Sequence, residues 1–213
     1  MHQRISSRWG MAAVVAGLLA GLLAWPGAGN AQLLTDPTQI LTNTTQSLTG
    51  QASAVTVVVL GTVTSLADTG PLVDAADPLG TGQPTGSIPG LLSAEALHAV
   101  TMGWTDQVAS EASLGNLAMS VAGIGVSAEA IMSRALAVSG AGSTGLTNID
   151  GLTIGGVSVD PAGIPNQQIS IAGLRVILNE QIQTANGIIV NALHIRTLDG
   201  LTDVVIGSAR AGI

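Results

Sequence analysis

Apolar and hydroxyl-bearing residues alternate along the segment 54–67, AVTVVVLGTVTSLA. One side of an extended chain would carry Val55, Val57, Val59 and Val63, and the other side Thr56, Thr62 and Thr64. Side chains two residues apart share a face of a β-strand, and β-branched residues favour that conformation. The pattern therefore predicts one strand with a buried face and a solvated face.

Residues 91–139 alternate as well, although they are also rich in good helix formers. Between Val126 and Ser139, one side collects Val126, Ala128, Ala130, Met132, Leu136 and Val138, and the other Ser127, Glu129, Ser133 and Ser139. In EALHAVTMGW, His98 falls in line with Val100, Met102 and Trp104. Periodicity alone leaves strand and helix open here, including for residues 106–138.

Residues 68–90 hold four of the eight prolines and several glycines, which predicts a long loop between strands. Asp68, Asp74 and Asp77 are weak candidate ligands for Ca²⁺, but their spacing matches no EF-hand loop. We therefore prefer to interpret them as solvated acids in turns.

The last third of the chain gives clearer turn signals. Residues 152–159 predict a hairpin that turns at Gly155-Gly156, because both glycines can adopt positive φ. Ala172-Gly173 interrupts an alternating stretch and suggests a bulge. The segment 203–213, DVVIGSARAGI, predicts a final strand.

The segment 179–196, NEQIQTANGIIVNALHIR, combines polar residues with a strong hairpin signal at Asn186-Gly187. A two-residue turn there sets Ala185 opposite Ile188. Glu180 and Asn191 then become diagonal neighbours on the apolar face, where Asn191 and backbone N–H groups would satisfy the carboxylate. Asn179 and His194 would lie opposite each other on the solvent face.

Catalysis or metal binding would require some of these side chains to converge. The predicted register places Glu180 and His194 on opposite faces, so we expect a structural polar pair, Glu180 and Asn191, and no catalytic residue. Contact between Glu180 and His194 in an open cleft would contradict this interpretation. His98 and His194, without cysteine or an HExxH spacing, fall short of a metal ligand set. We expect no cofactor.

The first thirty-one residues have the pattern of a secretory signal peptide. Arg4 and Arg8 precede the apolar stretch 11–24, and Gly29-Asn30-Ala31 supplies small residues for cleavage near Ala31. An uncleaved membrane anchor is the alternative. Export predicts a secreted or cell-surface protein.

Cleavage would leave four arginines, no lysine and thirteen acidic residues, and 4 − 13 = −9. This charge disfavours nucleic acid and anionic membranes as partners, since both require clustered basic residues. Cysteine, phenylalanine and tyrosine are absent, and Trp104 would be the one remaining aromatic residue. A disulfide framework is therefore excluded, and stacking on sugars is disfavoured.

The segments SIAGLRVILNEQ, IIVNALHIR and DVVIGSARAGI, with the upstream GLTIGG and IPNQQISI, resemble the choice-of-anchor P family of bacterial secreted and surface proteins. The resemblance covers roughly residues 52–213. It implies an extracellular domain without established catalytic activity and favours strands in residues 91–139. The sequence ends at Ile213 without a sortase motif, apolar tail or basic end, so we expect release or non-covalent retention.

We therefore predict an all-β, antiparallel, β-sandwich-like single domain over residues 51–213, after a signal peptide (1–31) and an arm (32–50). Its expected function is a non-catalytic structural or adhesive role outside the cell. One form of that role is self-association, through residues 32–50 or 54–66 lent to a neighbour's sheet edge. The alternatives are a binding module for Ca²⁺ or a glycan, and a hydrolase using Glu180 or His194.

Overall fold

The computed structural model describes residues 47–72 and 78–213. Its regular elements are β1 (Thr49–Val59), β2 (Thr62–Asp68), β3 (Leu79–Ile88), β4 (Leu92–Gly103), β5 (Gln107–Val121), β6 (Ile124–Val138), β7 (Gly142–Asp150), β8 (Thr153–Ile154), β9 (Val157–Ser158), β10 (Gln167–Ile171), β11 (Leu174–Thr184), β12 (Gly187–Thr197) and β13 (Thr202–Gly212). This part of the chain has no helix long and apolar enough to cross a membrane.

The strands form two antiparallel sheets that pack face to face. The six-stranded sheet has the order β10-β11-β12-β13-β1-β2. The seven-stranded sheet has the order β3-β4-β5-β6-β8-β9, with β7 also paired to β6. The predicted all-β, antiparallel sandwich is confirmed.

Aliphatic side chains fill the space between the two sheets. The largest fully buried residues include Leu97, Leu117, Ile131, Leu152, Leu178, Leu193, Ile195 and Ile206. No aromatic residue belongs to the buried clusters of the described residues. Burial of apolar area, at about 25 cal/mol per Å², is the main favourable contribution to folding.

The segment 54–67, predicted to be one strand, is a hairpin. β1 and β2 are joined by a tight turn at Leu60-Gly61, where both residues have positive φ. Val55 and Val57 face the core, but Val63 lies beyond the turn and is 63% exposed. The valine pattern crosses the turn without a break and therefore conceals it.

Two further segments form strands where the sequence predicts a loop or leaves the choice open. Residues 68–90 are predicted to be a loop, but β3 occupies Leu79–Ile88 and forms the edge of the seven-stranded sheet. Pro84 is compatible with this edge position, where one side of the strand needs no ladder partner. The segment for which helix and strand were both open consists of strands, namely β4, β5 and β6 over residues 92–103, 107–121 and 124–138.

The turns of the last third are mostly as predicted. Gly155 and Gly156, with φ of 60° and 79°, connect β8 and β9, which confirms that hairpin. The final strand is also present as β13. The predicted bulge at Ala172-Gly173 is wrong, because these two residues form the turn between β10 and β11.

A row of residues crosses the six-stranded sheet and interrupts the alternation of buried and exposed side chains. This row, called the crease below, consists of Asn179, Ala192, Gly207, Ala54 and Ala67. Every second member, namely Asn179, Gly207 and Ala67, has a positive φ of 50°, 63° or 47°. A left-handed residue within a strand turns the following side chains to the other face. β12 has no left-handed residue of its own, yet its facing changes at Ala192, in register with Asn179 and Gly207 on the strands beside it. Its core residues are Ile188 and Val190 before the crease, and Leu193 and Ile195 after it.

The seven-stranded sheet contains a similar interruption. Ala96 and Asn116 have positive φ within β4 and β5. The core side of β6 changes accordingly, with Ala128 buried, Ala130 exposed and Ile131 buried again. The prediction that the face of Val126 and Ala128 continues to Ala130, Met132, Leu136 and Val138 is therefore wrong, and Ser133, predicted on the opposite side, is buried.

Candidate functional site

The β11–β12 hairpin turns one residue earlier than the sequence predicts. Thr184 pairs with Gly187, so Ala185 and Asn186 form the turn. Neither residue has positive φ. Gly187 instead lies against the backbone of β13, where a Cβ atom would clash with the Ala211 carbonyl oxygen. The glycine is thus required for close packing rather than for the turn.

The observed register and the crease place Glu180 on the outer face of the sheet, not on the core face. Glu180 pairs directly with Asn191, not diagonally as predicted. Asn179 has positive φ, so Glu180 leaves the core face occupied by Val176 and Leu178. The prediction that Glu180 faces the core is wrong, and so is the prediction that His194 lies on the opposite face.

Glu180, Asn191 and His194 meet in one hydrogen-bonded group. The Nδ1 atom of His194 lies 2.8 Å from Oε2 of Glu180, and Asn191 donates to the same oxygen at 2.7 Å. Ser208 on β13 in turn donates to Oδ1 of Asn191 at 2.8 Å. The side chains of His194 and Glu180 are only 11% and 12% exposed, so these bonds are largely shielded from water.

The second ring nitrogen of His194 is also bound to a carboxylate. Nε2 lies 2.8 Å from Oδ1 of Asp203 on β13. The other oxygen of Asp203 accepts from Nε of Arg196 at 2.8 Å. One imidazole therefore links β11, β12 and β13, and Glu180, His194 and Asp203 are called the clamp below.

The clamp shifts the pKa values of Glu180 and His194. The hydrogen bond to Glu180 raises the pKa of His194 above its ordinary value of 6.5, despite burial, which favours the neutral form. Burial alone would raise the pKa of Glu180. Hydrogen bonds from His194 and Asn191 outweigh that effect and hold the pKa of Glu180 below 4.5. The clamp thus favours an imidazolium between two carboxylates.

This arrangement differs from that of a catalytic base. A histidine acting as a base needs one nitrogen with a free lone pair directed at a nucleophile. In His194 both nitrogens face carboxylates, and the nearby hydroxyl of Ser208 donates to Asn191 instead. The geometry is suited to binding three strands together, which requires no turnover.

The remaining candidate residues lie apart from the clamp. Asn179, expected on the solvent face, is buried, and its Oδ1 accepts from Nε2 of Gln181 at 2.9 Å. His98 is exposed on β4, in the other sheet. Asp68 accepts from Gln51 and from the N–H of Gly70. Asp74 and Asp77 lie outside the described residues, and within those residues no group of acidic or histidine side chains could hold a metal ion.

Sequence reasoning missed Asp203, Arg196 and Ser208 as members of the site. A signal for two of them was present in residues 198–201, LDGL, because a turn there places Arg196 opposite Asp203. Oppositely charged residues facing each other across strands are a common stabilising pair. Ser208 had no comparable signal, since its position depends on the crease.

No family model, no curated protein and no solved structure matches the chain.

Proposed function

We propose that this chain is a non-catalytic structural or adhesive protein of the cell surface or extracellular space. The observation that carries the non-catalytic part is the clamp, in which both nitrogens of His194 face carboxylates. The extracellular location is proposed on two grounds from the sequence. These are the resemblance to the choice-of-anchor P family and the signal peptide expected at residues 1–31. That signal peptide and residues 32–46 of the expected arm lie outside the described part of the structure.

Unprotected sheet edges support self-association as the form of this function. Proteins that stay monomeric usually protect their edge strands with charges, especially lysine. Here β10 carries no charged residue, and β2 and β7 each carry one, Asp68 and Asp150, at the strand end. The edge strand β3 differs, because Pro84 protects it. The row of unpaired backbone groups on an unprotected edge can pair with a strand of another molecule.

The structure restricts which strand could take part. β1 contains most of the segment 54–66, but it is hydrogen-bonded on both sides, to β13 and β2. Donation of β1 to a neighbour would break both ladders and is therefore unfavourable. β2 is the edge strand of the same sheet and can accept a partner without loss of existing pairs.

The experiment compares the oligomeric state of the processed protein with that of two lysine variants. Val63→Lys places a charge on β2, whereas Ile164→Lys makes a similar change in the connection between β9 and β10. We expect concentration-dependent oligomers or fibres in size-exclusion chromatography and negative-stain microscopy. Val63→Lys should reduce them, and Ile164→Lys should not. A monomer at all concentrations would refute self-association.

A hydrolase is the second candidate, because the contact between Glu180 and His194 that the sequence analysis sets against a structural role is present, beside a hollow that both residues line. This candidate predicts that the protein hydrolyses some ester or glycoside and that Glu180→Gln abolishes turnover without unfolding the chain. Our proposal predicts no turnover by the wild-type protein on ester and glycoside panels. Activity that disappears in a folded Glu180→Gln variant would establish the hydrolase instead.

A further inference from the structure

Two of the four arginines in the described residues lie directly opposite each other. Arg175 on β11 pairs with Arg196 on β12, on the outer face of the six-stranded sheet. Like charges at directly opposed positions destabilise a sheet unless something compensates them. Such a pair is unexpected in a chain with so few basic residues and a formal charge of −7.

The two arginines differ in their partners. Arg196 is bound to Asp203, with its Nη2 atom 2.6 Å from Oδ2. Among the described residues, no carboxylate lies within ion-pairing distance of Arg175. The positive charge of Arg175 is therefore uncompensated within this part of the chain and is available to an external anion.

A hollow of about 170 Å³ lies beside this pair. Its walls are Arg175, Arg196, His194, Glu180, Ile177 and Ile182. The carboxylate of Glu180 is already occupied by His194 and Asn191. What remains for a ligand is a guanidinium end and an apolar surface formed by Ile177 and Ile182. Sites for drug-sized ligands are about 300–1,000 Å³, so this hollow suits a small ligand.

We propose that this hollow binds a small aliphatic carboxylate. The carboxylate group lies between Arg175 and Arg196, because a guanidinium group binds a carboxylate through paired N–H donors. The aliphatic part packs on Ile177 and Ile182. This inference does not depend on the proposed function, since a binding site of this kind is compatible with a monomer or a polymer.

The charge around the hollow depends on pH. The groups that face His194 are Glu180 on β11, Asp203 on β13 and the two arginines. With His194 protonated, three positive and two negative groups leave one net positive charge. With His194 neutral, the net charge is zero. Binding of an anion should therefore weaken as the pH rises through the titration of His194.

The test uses hexanoate as the probe, with hexanamide and inorganic sulfate as comparisons. Binding is followed by calorimetry and by two-dimensional NMR of the arginine side chains. Arg175→Gln removes the uncompensated charge, and Arg210→Gln is the matched control, because Arg210 is exposed on β13 of the same sheet but does not line the hollow. Thermal melting verifies that both variants are folded.

We expect hexanoate to bind the wild-type protein and the Arg210→Gln variant, and Arg175→Gln to weaken binding by about tenfold or more, as the loss of a charge-assisted contact implies. Hexanamide should not bind, and sulfate should bind more weakly than hexanoate. Absence of hexanoate binding, or equal binding by folded Arg175→Gln, would overturn the proposal. Sulfate binding as tight as that of hexanoate would overturn the assignment of an aliphatic ligand.

Discussion

Glu180 and His194 stand on opposite sides of the crease and yet share a hydrogen bond of 2.8 Å on one face of the sheet. In a regular strand, Asn191 and His194 would point to opposite faces, because they are three residues apart. The change of face along β12 brings both to Glu180. The crease is therefore what assembles the clamp.

The clamp makes stability depend on pH in a defined direction. The raised pKa of His194 means that its contribution is complete below pH 6.5 and is lost as the pH rises through the folded-state pKa. The lowered pKa of Glu180 means that its contribution is complete above pH 4.5 and is lost as the pH falls through its folded-state pKa. The contribution of the clamp is thus greatest between pH 4.5 and 6.5.

Chemical denaturation of His194→Gln across the pH range checks this prediction. The difference in free energy of unfolding from wild type should reach about 1–3 kcal/mol in that window, and it should become smaller on both sides. His98→Gln changes an exposed imidazole in the other sheet and should alter the free energy by less than about 0.5 kcal/mol. A stability difference for His194→Gln that grows steadily as the solution becomes alkaline would contradict this direction of pH dependence.

Two buried serines can be compared to test how much stability depends on the hydrogen bonds of hydroxyl groups in the core. Ser133 on β6 is fully buried, and its hydroxyl has no hydrogen-bond partner among the described residues. Ser110 on β5 is also buried, and its hydroxyl lies 2.6 Å from both Oγ1 of Thr101 and the carbonyl oxygen of Arg210. Replacing an unsatisfied hydroxyl relieves a penalty, whereas replacing a bonded one creates it.

We expect Ser133→Ala to leave stability unchanged or increase it by up to about 1 kcal/mol. Ser110→Ala should decrease stability by about 1–3 kcal/mol, because Thr101 on the neighbouring strand and the Arg210 carbonyl on the other sheet each lose a partner. Denaturant unfolding of both variants gives the comparison. An equal loss of stability in the two variants would show that Ser133 has a partner in solution.

Left-handed alanines in the strands can be tested by substitution with glycine. Ala96 on β4 has a φ of 49°, a conformation that costs an alanine about 1–2 kcal/mol. Ala96→Gly should relieve this strain and leave stability unchanged or slightly higher. Ala130 on β6 is exposed and has no positive φ, so Ala130→Gly should cost about 0.5–1 kcal/mol. Thermal unfolding that ranks the two variants in the reverse order would contradict the assigned backbone conformation.

The periodicity of the sequence was sufficient for strands in the first and last thirds of the domain and for the Gly155-Gly156 turn. Over residues 91–139 it left strand and helix open, and only the resemblance favoured the strands that are present. Periodicity was insufficient wherever alternation continued through a reversal, as at Leu60-Gly61, where valines occupy alternate positions on both sides of the turn. The crease was also beyond such reasoning. Alanine disfavours positive φ, so Ala67 gives no sequence signal for the crease, and Ala96 gives none for the similar interruption in β4.

The candidate site was recognised in its residues but not in its geometry. Glu180, Asn191 and His194 stand out as polar residues in an apolar segment, and the hydrogen bond between Glu180 and Asn191 is present. Their predicted placement was wrong for two reasons. The positive φ of Asn179 turns the side chains that follow it in β11 to the other face of the sheet. Gly187 is required for close packing against β13 and not for the turn.

The protonation state of His194 tests the central claim most directly. NMR titration of the imidazole, with ¹⁵N and ¹³C labels, measures its pKa and shows which ring nitrogens carry protons. We predict a pKa above 6.5, protons on both nitrogens in the acid form, and a lower pKa in the Glu180→Gln variant. A pKa at or below 6.5 in the wild-type protein, or no change in that variant, would contradict the clamp.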